Sequence, residues 1–561
     1  MVHSRPQVAT LWSPVRCHAP RRSLYESAYA PNKFDHEHFY QHSTGRWLWD
    51  EKKQLAESYR HFDIPALKEI AAQSVGAKRC ISMGKIAEGH SSRVFRLRMD
   101  NGKYAFARIL YANLDPECAA RAINSEVASM EFARTVLGVP TPRVLDWSGT
   151  QENAVGAEYV LMEAATGTPL WRLWPKMDVK SKLSVVAELI EVEKKFLSVA
   201  FTRYGNLYIA QDAFPGCEKA EVKGQVAQLI KDEVSRRFVI GPVAARSFWH
   251  HERACMEIDR GPWKSPQDYL RAIARREIAW TVRHADPKTQ RSFYNAPFTM
   301  PEPPMQRDIS KHIAHYLKLQ DLSETLLPEG EKSRATLWHP NLRTANIFVK
   351  DNKITGIIDW NDVWVGPLFL QAESPSLVTH VGEMKLKLPD ENETMDEVDQ
   401  GFARRQVDGS MVAQAYREML RKQSPFLSCV RNVPHAKNTQ LVIHLAQNTW
   451  HGDVVLLRQV LIRVARHWGD MRPDIPCPIS FTDAELEELQ PYAEGWNHTA
   501  DIYEAFHTFM GVHRDGWIEE RNYEVAVEYL KEIIEKIDYG EEDTPEERED
   551  FMAKLGRVGG E

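Results

Sequence analysis

The 561-residue chain has no CxxC pair, and its seven cysteines are scattered and odd in number. That excludes a zinc-ribbon framework and, in a chain this long, a disulfide scaffold, so the cysteines read as free thiols in a reducing compartment. No stretch approaches the roughly 18 uninterrupted apolar residues of a membrane span. Positive charge is not in excess: 71 Lys and Arg against 78 Asp and Glu give a net charge of -7, which argues against a generic nucleic-acid binder. The 16 tryptophans are accordingly core and loop anchors rather than a base-stacking platform. Internal repeats are absent. Acids are missing from the first 25 residues, where Arg5, Arg16, Arg21 and Arg22 stand among serines. This is the composition of a mitochondrial targeting segment. Pro6, Pro14 and Pro20 weaken the helix such a segment forms, and a disordered basic tail is the alternative.

What is present comes in blocks. After the targeting segment (1–26), residues 27–78 form an extension with helical character from Asp50 to Ala72. Residues 79–165 are β-rich. "SRVFRLRM" alternates, with Phe95, Leu97 and Met99 on one face, then "DNG" at 100–102 signals a tight hairpin turn and "KYAFARIL" returns as its partner. The segment from Pro116 to Leu137 has helical spacing, and "EYVLMEAATG" is a buried strand ending in a glycine break. Residues 166–540 are mostly helical, as in "KLSVVAELIEVEKKFLSV", with loops or insertions at 285–306 and 388–400, and 541–561 is an acidic flexible tail. A small sheet-rich N-lobe, a connecting strand and a large helical C-lobe give an α+β, bilobal, kinase-like outline.

Within this outline, 337–362 carries the densest chemistry: "LWHPNLRTANIFVKDNKITGIIDWND". Asp359 ends an apolar strand, a place where the core fixes a carboxylate as a magnesium ligand. Asn346 can add a neutral oxygen to the same ion, and the spacing between the two permits a hairpin with "KDNK" as its turn. Arg108, two residues after Phe106, lies on the same strand face, and Glu126 on the following helix is its natural partner. Gly84 and Gly89 in "GKIAEGHSS" suit a phosphate-covering segment, although no Walker-type Lys-Ser/Thr follows. Each residue taken singly is as readily a cap, a turn or a surface charge. Together they supply what phosphoryl transfer needs: metal ligands, a cation on phosphate, and a group that orients the attacking hydroxyl.

These residues resemble the fungal aminoglycoside-phosphotransferase-like family that includes altered inheritance of mitochondria protein 9. The likeness runs from about residue 36 to 540 through blocks such as "STGRWLWDEKKQLAESY", "SEVASMEFARTVLGVPTPRVL", "GAEYVLME", "RYGNLY", "DRGPWKSPQDYL", "GIIDWNDVWVGPLFLQ" and "DGWIEE". It implies a protein-kinase-like fold of the aminoglycoside phosphotransferase type, ATP and Mg²⁺ as cofactors, and a mitochondrial setting. It implies a hinge at Met162–Ala165, including Glu163 and Ala165, that meets the adenine. Arg108 matches the family's "ARI" position, Glu126 its helix glutamate, His339 its catalytic-loop histidine, Asn346 and Asp359 its metal residues. Two positions depart from the pattern. Where the family loop reads His-x-Asp-Leu-His, this chain has His339-Pro340-Asn341-Leu342-Arg343. Asn341 has no carboxylate and cannot accept a proton at neutral pH.

Three readings follow. The protein binds nucleotide with weak or absent transfer; or it is an active small-molecule O-phosphotransferase in which Asn341 orients a hydroxyl; or it is a mitochondrial interaction protein that binds no nucleotide. The expected partners are a nucleotide and an unidentified small-molecule acceptor, with no nucleic acid.

Overall fold

The computed structural model describes residues 36–536, apart from 225, 289–303, 381, 390–394, 489–491, 493–506, 508–509 and 514. The expected targeting segment and acidic tail therefore lie outside the described residues, as does most of the proline-rich stretch within 285–306.

The first half builds a sheet. Helix α1 (Ile64–Ser74) precedes strands β1 (Cys80–Glu88), β2 (Ser92–Met99) and β3 (Tyr104–Leu110), then helix α2 (Pro116–Thr135), β4 (Val144–Ser148) and β5 (Tyr159–Glu163). The strands pair antiparallel in the order β1-β2-β3-β5-β4. Alternation decides the two faces. Phe95, Leu97, Met99, Ala105, Ala107 and Ile109 pack under α1 with Phe39 and Phe62. The opposite face carries Leu110 and Val160 against Ala119, Ile123 and Val127 of α2. Asp115 caps α2 by accepting from the N–H groups of Glu117 and Cys118, and Pro116 opens its first turn, a combination worth about 1 kcal/mol for the cap alone.

The remainder is mainly helical: α3 (Val179–Leu197), α4 (Pro266–His284), α5 (Ile309–Leu322), α6 (Glu397–Gln423) and α7 (Val454–Arg466) are among its longer members. Short strands run between them. β6 (Asn206–Ile209) pairs with β7 (Phe238–Gly241), and β8 (Ala335–Trp338) pairs with β11 (Trp364–Pro367). Between β8 and β11, the hairpin β9 (Ile347–Lys350) and β10 (Lys353–Ile357) turns through Asp351 and Asn352, both at positive φ, as a two-residue hairpin turn requires. Phe196 of α3 packs on Trp338 and Trp360, which seats the segment after β8 on the helical core. The architecture is α+β, a sheet-rich N-terminal part and a helical C-terminal part.

The structure refines three sequence expectations. The helical stretch from Asp50 to Ala72 is two helices, Glu51–Ser58 and α1, because Asp63 caps the second one and Pro65 stands in its first turn. The helical half contains short strands such as β6, β7, β8 and β11, and elements of four residues leave no period to read. The charged run 388–400 is not loop throughout, since Asp396 caps α6 and Glu397 begins it.

Candidate functional site

Between β8 and β9 the chain turns through His339–Asn346. His339 is buried and spends both ring nitrogens on backbone: Nε2–H donates to the Ile358 carbonyl at 3.2 Å, and Nδ1 accepts the Asn341 N–H at 3.2 Å. Its ring meets Trp360 edge-on at 4.9 Å. These contacts fix the loop in place; they do not point the imidazole at a reactant.

Asp359 follows β10 with φ +71, a left-handed conformation that a non-glycine residue keeps only where its surroundings hold it. Three asparagines hold it. Asn341 Nδ2 and Asn346 Nδ2 each donate to Asp359 Oδ2 at 3.0 Å, and Asn361 Nδ2 donates to Oδ1 at 2.9 Å. Asn346 Nδ2 also donates to the Asn341 carbonyl at 2.9 Å. Arg343 brings its guanidinium to 3.9 Å from Asp359 Oδ2. Asn341 Oδ1 is buried and accepts no hydrogen bond.

A divalent cation fits this donor set. Asp359 and the Oδ1 of Asn346 are hard oxygen ligands of the kind Mg²⁺ takes, and the unsatisfied Asn341 Oδ1 adds an oxygen beside them. Arg343 works the other way, because its charge competes for the same carboxylate.

On the sheet side, Arg108 of β3 makes a direct ion pair with Glu126 of α2, and both are buried. Burial pushes the Arg108 guanidinium down to about 10, against the pull of Asp359 and Asp362, so it stays charged at neutral pH. The charges of Asp359 and Asp362 act on Arg108 through space, which brings the β3 cation and the loop after β10 to one site. Phe106 is half-buried on the same strand face. Asp362 sits three residues beyond Asp359, also at positive φ. Its side chain reaches solvent, yet crowding by surrounding protein and the charge of Asp359 push its carboxyl above the usual range, with Arg108, His90 and Arg246 pulling it back.

The turn between β1 and β2 is closed by Gly89 N–H to the Ser92 carbonyl at 2.8 Å. Gly84 lies inside β1 opposite Arg96, away from that turn, and a Cβ there would meet nothing within 4 Å; no close approach demands glycine. What anchors the turn is Glu88, buried between Lys85 (2.5 Å) and Arg93 (3.2 Å). The N-terminal extension completes this anchor. Ser43 N–H donates to Glu88 at 2.9 Å, Lys85 Nζ donates to the carbonyls of His38 (2.8 Å) and Gln41 (2.9 Å), and Arg93 donates to Ser58 O at 2.7 Å. The strand Gly45–Trp47 in turn pairs with Trp517–Glu519 from the far end of the chain.

At the end of β5, Glu163 forms an exposed ion pair with Arg143 at 2.9 Å. Ala165 packs so closely on Gly356 of β10 that a Cβ there would lie 3.1 Å from its own. Gly167, at φ +100, crosses β9 where any side chain would strike Val349 and Thr355. The segment 163–167 is thereby pressed onto the same hairpin that delivers Asp359.

The structure thus gathers His339, Asn341, Asn346 and Asp359 in one loop and hairpin, faces them with Arg108 and Glu126, and sets Ala165 against the same hairpin. Sequence reasoning missed Asn361 and Asp362, although "DWND" carries both, and it missed Arg246.

A loop-and-hairpin carboxylate faced by a buried cation on a small sheet is the layout of a phosphotransferase. Residues 83–370, more than half of the 561-residue chain, match the family model described as the phosphotransferase enzyme family, and the chain belongs to that family. A subtelomeric hrmA-associated cluster protein of Aspergillus fumigatus is 29% identical over 496 residues, covering 81% of this chain and 92% of the relative. The protein named altered inheritance of mitochondria protein 9, mitochondrial, of Yarrowia lipolytica is 23% identical over 537 residues, covering 90% and 88%. Among solved structures, ADP-bound aminoglycoside phosphotransferase APH(2'')-Ib is 11% identical and covers 72% of this chain and 96% of its own, with a TM-score of 0.37.

Proposed function

We propose that the protein binds ATP and Mg²⁺ between Arg108 and Asp359 and transfers phosphate weakly or not at all. The observation that carries this reading is the treatment of Asp359. The residue two places after His339 is an asparagine that donates a hydrogen bond to Asp359 instead of offering a carboxylate to a substrate proton. Asn346 and Asp359 would hold the metal, which when bound neutralises phosphate oxygens. Arg108, kept in place by Glu126, would meet the phosphates, and the Gly89 turn would cover them. Glu163 and Ala165 would present backbone groups to the base. His339 is a positioning residue that keeps the loop in register.

The unsatisfied Oδ1 of Asn341 favours a second reading, an active small-molecule O-phosphotransferase, because that buried oxygen, once a turn of the side chain exposes it, can accept the acceptor's hydroxyl and orient it. A protein that binds no nucleotide is the third. A thermal-shift titration with ATP and Mg²⁺ decides first between nucleotide binding and its absence. A saturable rise in Tm is expected by linkage, and no rise at millimolar ATP would overturn the proposal.

The buried Arg108–Glu126 pair dictates how the cation is tested. Arg108→Ala alone would strand Glu126 as a buried charge, at about 3–5 kcal/mol, and lost binding would then only report lost folding. The double variant Arg108→Met with Glu126→Leu removes both charges at similar volume and is expected to keep Tm near that of the unaltered protein. Its ATP affinity should fall roughly 10- to 100-fold, the worth of a charge-assisted phosphate contact. Unchanged affinity in a folded double variant would remove Arg108 from the site.

Mitochondrial location is part of the same proposal. The acid-free N-terminus supports it, as does the mitochondrial name of the Yarrowia relative. A reporter carrying residues 1–35 is expected to enter mitochondria; a diffuse cytosolic signal would reject that role for the segment.

A further inference from the structure

We infer that His435, His467 and Asp470 form a second metal site, for a Zn²⁺-like transition metal, in the helical part beyond the residues that match the family model. One ligand atom of each lies within 4.8 Å of the other two. His435 Nε2 is 3.2 Å from Asp470 Oδ2, and His467 Nδ1 is 3.9 Å from the same oxygen. The imidazoles are stacked with centroids 4.3 Å apart and planes 18° from parallel.

Geometry makes this more than a surface hydrogen bond. A tetrahedral ion with bonds of about 2.0–2.1 Å sets its ligand atoms about 3.3 Å apart. The His435–Asp470 separation already meets that distance; His467 must close from 3.9 Å, and one of the two stacked rings must turn so that both ring lone pairs aim at one ion. All three side chains have room to do so, being 30%, 39% and 69% exposed. Exposure also leaves a fourth position for water. The backbone supports the convergence: His435 is held at φ +53, just before the helix Ala436–Leu445. His467 follows the last residue of α7, and Asp470 lies three residues on in the short helix Trp468–Met471. The carbonyl end of α7 favours a cation at His467, whereas the amino end of Ala436–Leu445 opposes one at His435, so the Asp470 carboxylate supplies the net attraction.

Two imidazoles and one carboxylate select the metal class. Nitrogen ligands suit Zn²⁺, Co²⁺ and Ni²⁺ and not Mg²⁺ or Ca²⁺, which take oxygen. The site is therefore chemically distinct from the oxygen set around Asp359. A bound ion would tie the start of Ala436–Leu445 to the end of α7, and its consequence is stability of that helical region.

The test is calorimetric titration of chelator-treated full-length protein with Zn²⁺, with Mg²⁺ as the contrast. One Zn²⁺ equivalent should be lost in His435→Ala/His467→Gln relative to the unaltered protein, and the Zn²⁺-induced rise in Tm should shrink with it. Because thiols such as Cys255 and Cys429 are exposed, the difference between the two proteins is the readout, not total binding. Asp470→Asn, at a largely exposed position, guards against a folding failure of the double variant and should weaken the same equivalent. Equal Zn²⁺ stoichiometry and affinity in the unaltered protein and the variants, or no Zn²⁺ binding at all, would overturn the site.

Discussion

Asn341→Asp is expected to hydrolyse ATP roughly 10²- to 10⁴-fold faster than the unaltered protein, the range that general-base assistance supplies. The geometry adds a condition. The Asn341 amide now donates to Asp359 Oδ2 at 3.0 Å, so the substitution brings a second carboxylate to that distance. Two carboxylates this close do not both ionise unless a cation lies between or beside them. Arg343, 3.9 Å from Asp359, relieves part of the repulsion, and Mg²⁺ relieves more. The variant should therefore be less stable than the unaltered protein in chelator, gain more Tm from Mg²⁺, and show its extra turnover only with the metal present. If Arg343 holds Asp359 away from the metal, the single change will leave turnover flat, and Asn341→Asp with Arg343→His will raise it. Strong hydrolysis by the unaltered protein, with no gain in either variant, would mean that Asn341 is no defect and that the second reading is correct.

The 337–362 segment was legible because its signals are local. An apolar strand ending in Asp359, the "KDNK" turn and the nearby Asn346 all fall within a few tens of residues, and hairpin geometry follows from the turn residues themselves. Arg108 and Glu126 could be paired because Arg108 alternates with Ala105, Ala107 and Ile109, so it stands on the strand face opposite theirs, which the following helix covers. The N-terminal extension is the opposite case. Its strand Gly45–Trp47 is three residues long and finds Trp517–Glu519 at the other end of the chain. A pairing so short and so distant leaves neither a period nor a turn in the sequence. The same holds for Glu88, which reads as one acid in a mixed strand until Lys85, Arg93 and Ser43 surround it. Asp362 escaped for another reason: acids are common after a strand, and its weight comes from Arg108, His90 and Arg246, which three other segments deliver.

Acidification should unfold the protein before most of its carboxylates are protonated, because of three buried histidines. Burial lowers His42, His312 and His315 each to about 4. Their hydrogen bonds agree with neutral rings. His312 Nε2–H donates to the Gln306 carbonyl at 2.9 Å, so Nδ1 accepts from Thr449 Oγ1 at 2.7 Å. His42 Nε2 accepts the Trp517 indole N–H at 3.0 Å, a contact between the two ends of the chain that a protonated ring would lose. His315 is packed near Arg458, whose charge opposes a second cation. The sign follows from linkage. In the unfolded chain these histidines take up protons near pH 6.5, while in the folded protein they refuse them until about 4. The unfolded state binds more protons throughout that window, so stability falls as pH falls from about 6.5 toward 4. At pH 5 each ring costs about 2 kcal/mol, and three together rival a total folding free energy of roughly 5–15 kcal/mol. Equilibrium unfolding followed by far-UV circular dichroism should therefore show a cooperative transition between pH 6 and 4 (on the order set by these values). His312→Gln, which can still donate to Gln306 O and accept from Thr449, should move that transition to lower pH even if it costs stability at pH 8. A His312→Gln transition unmoved on the pH axis would show that His312 is already protonated in the folded protein.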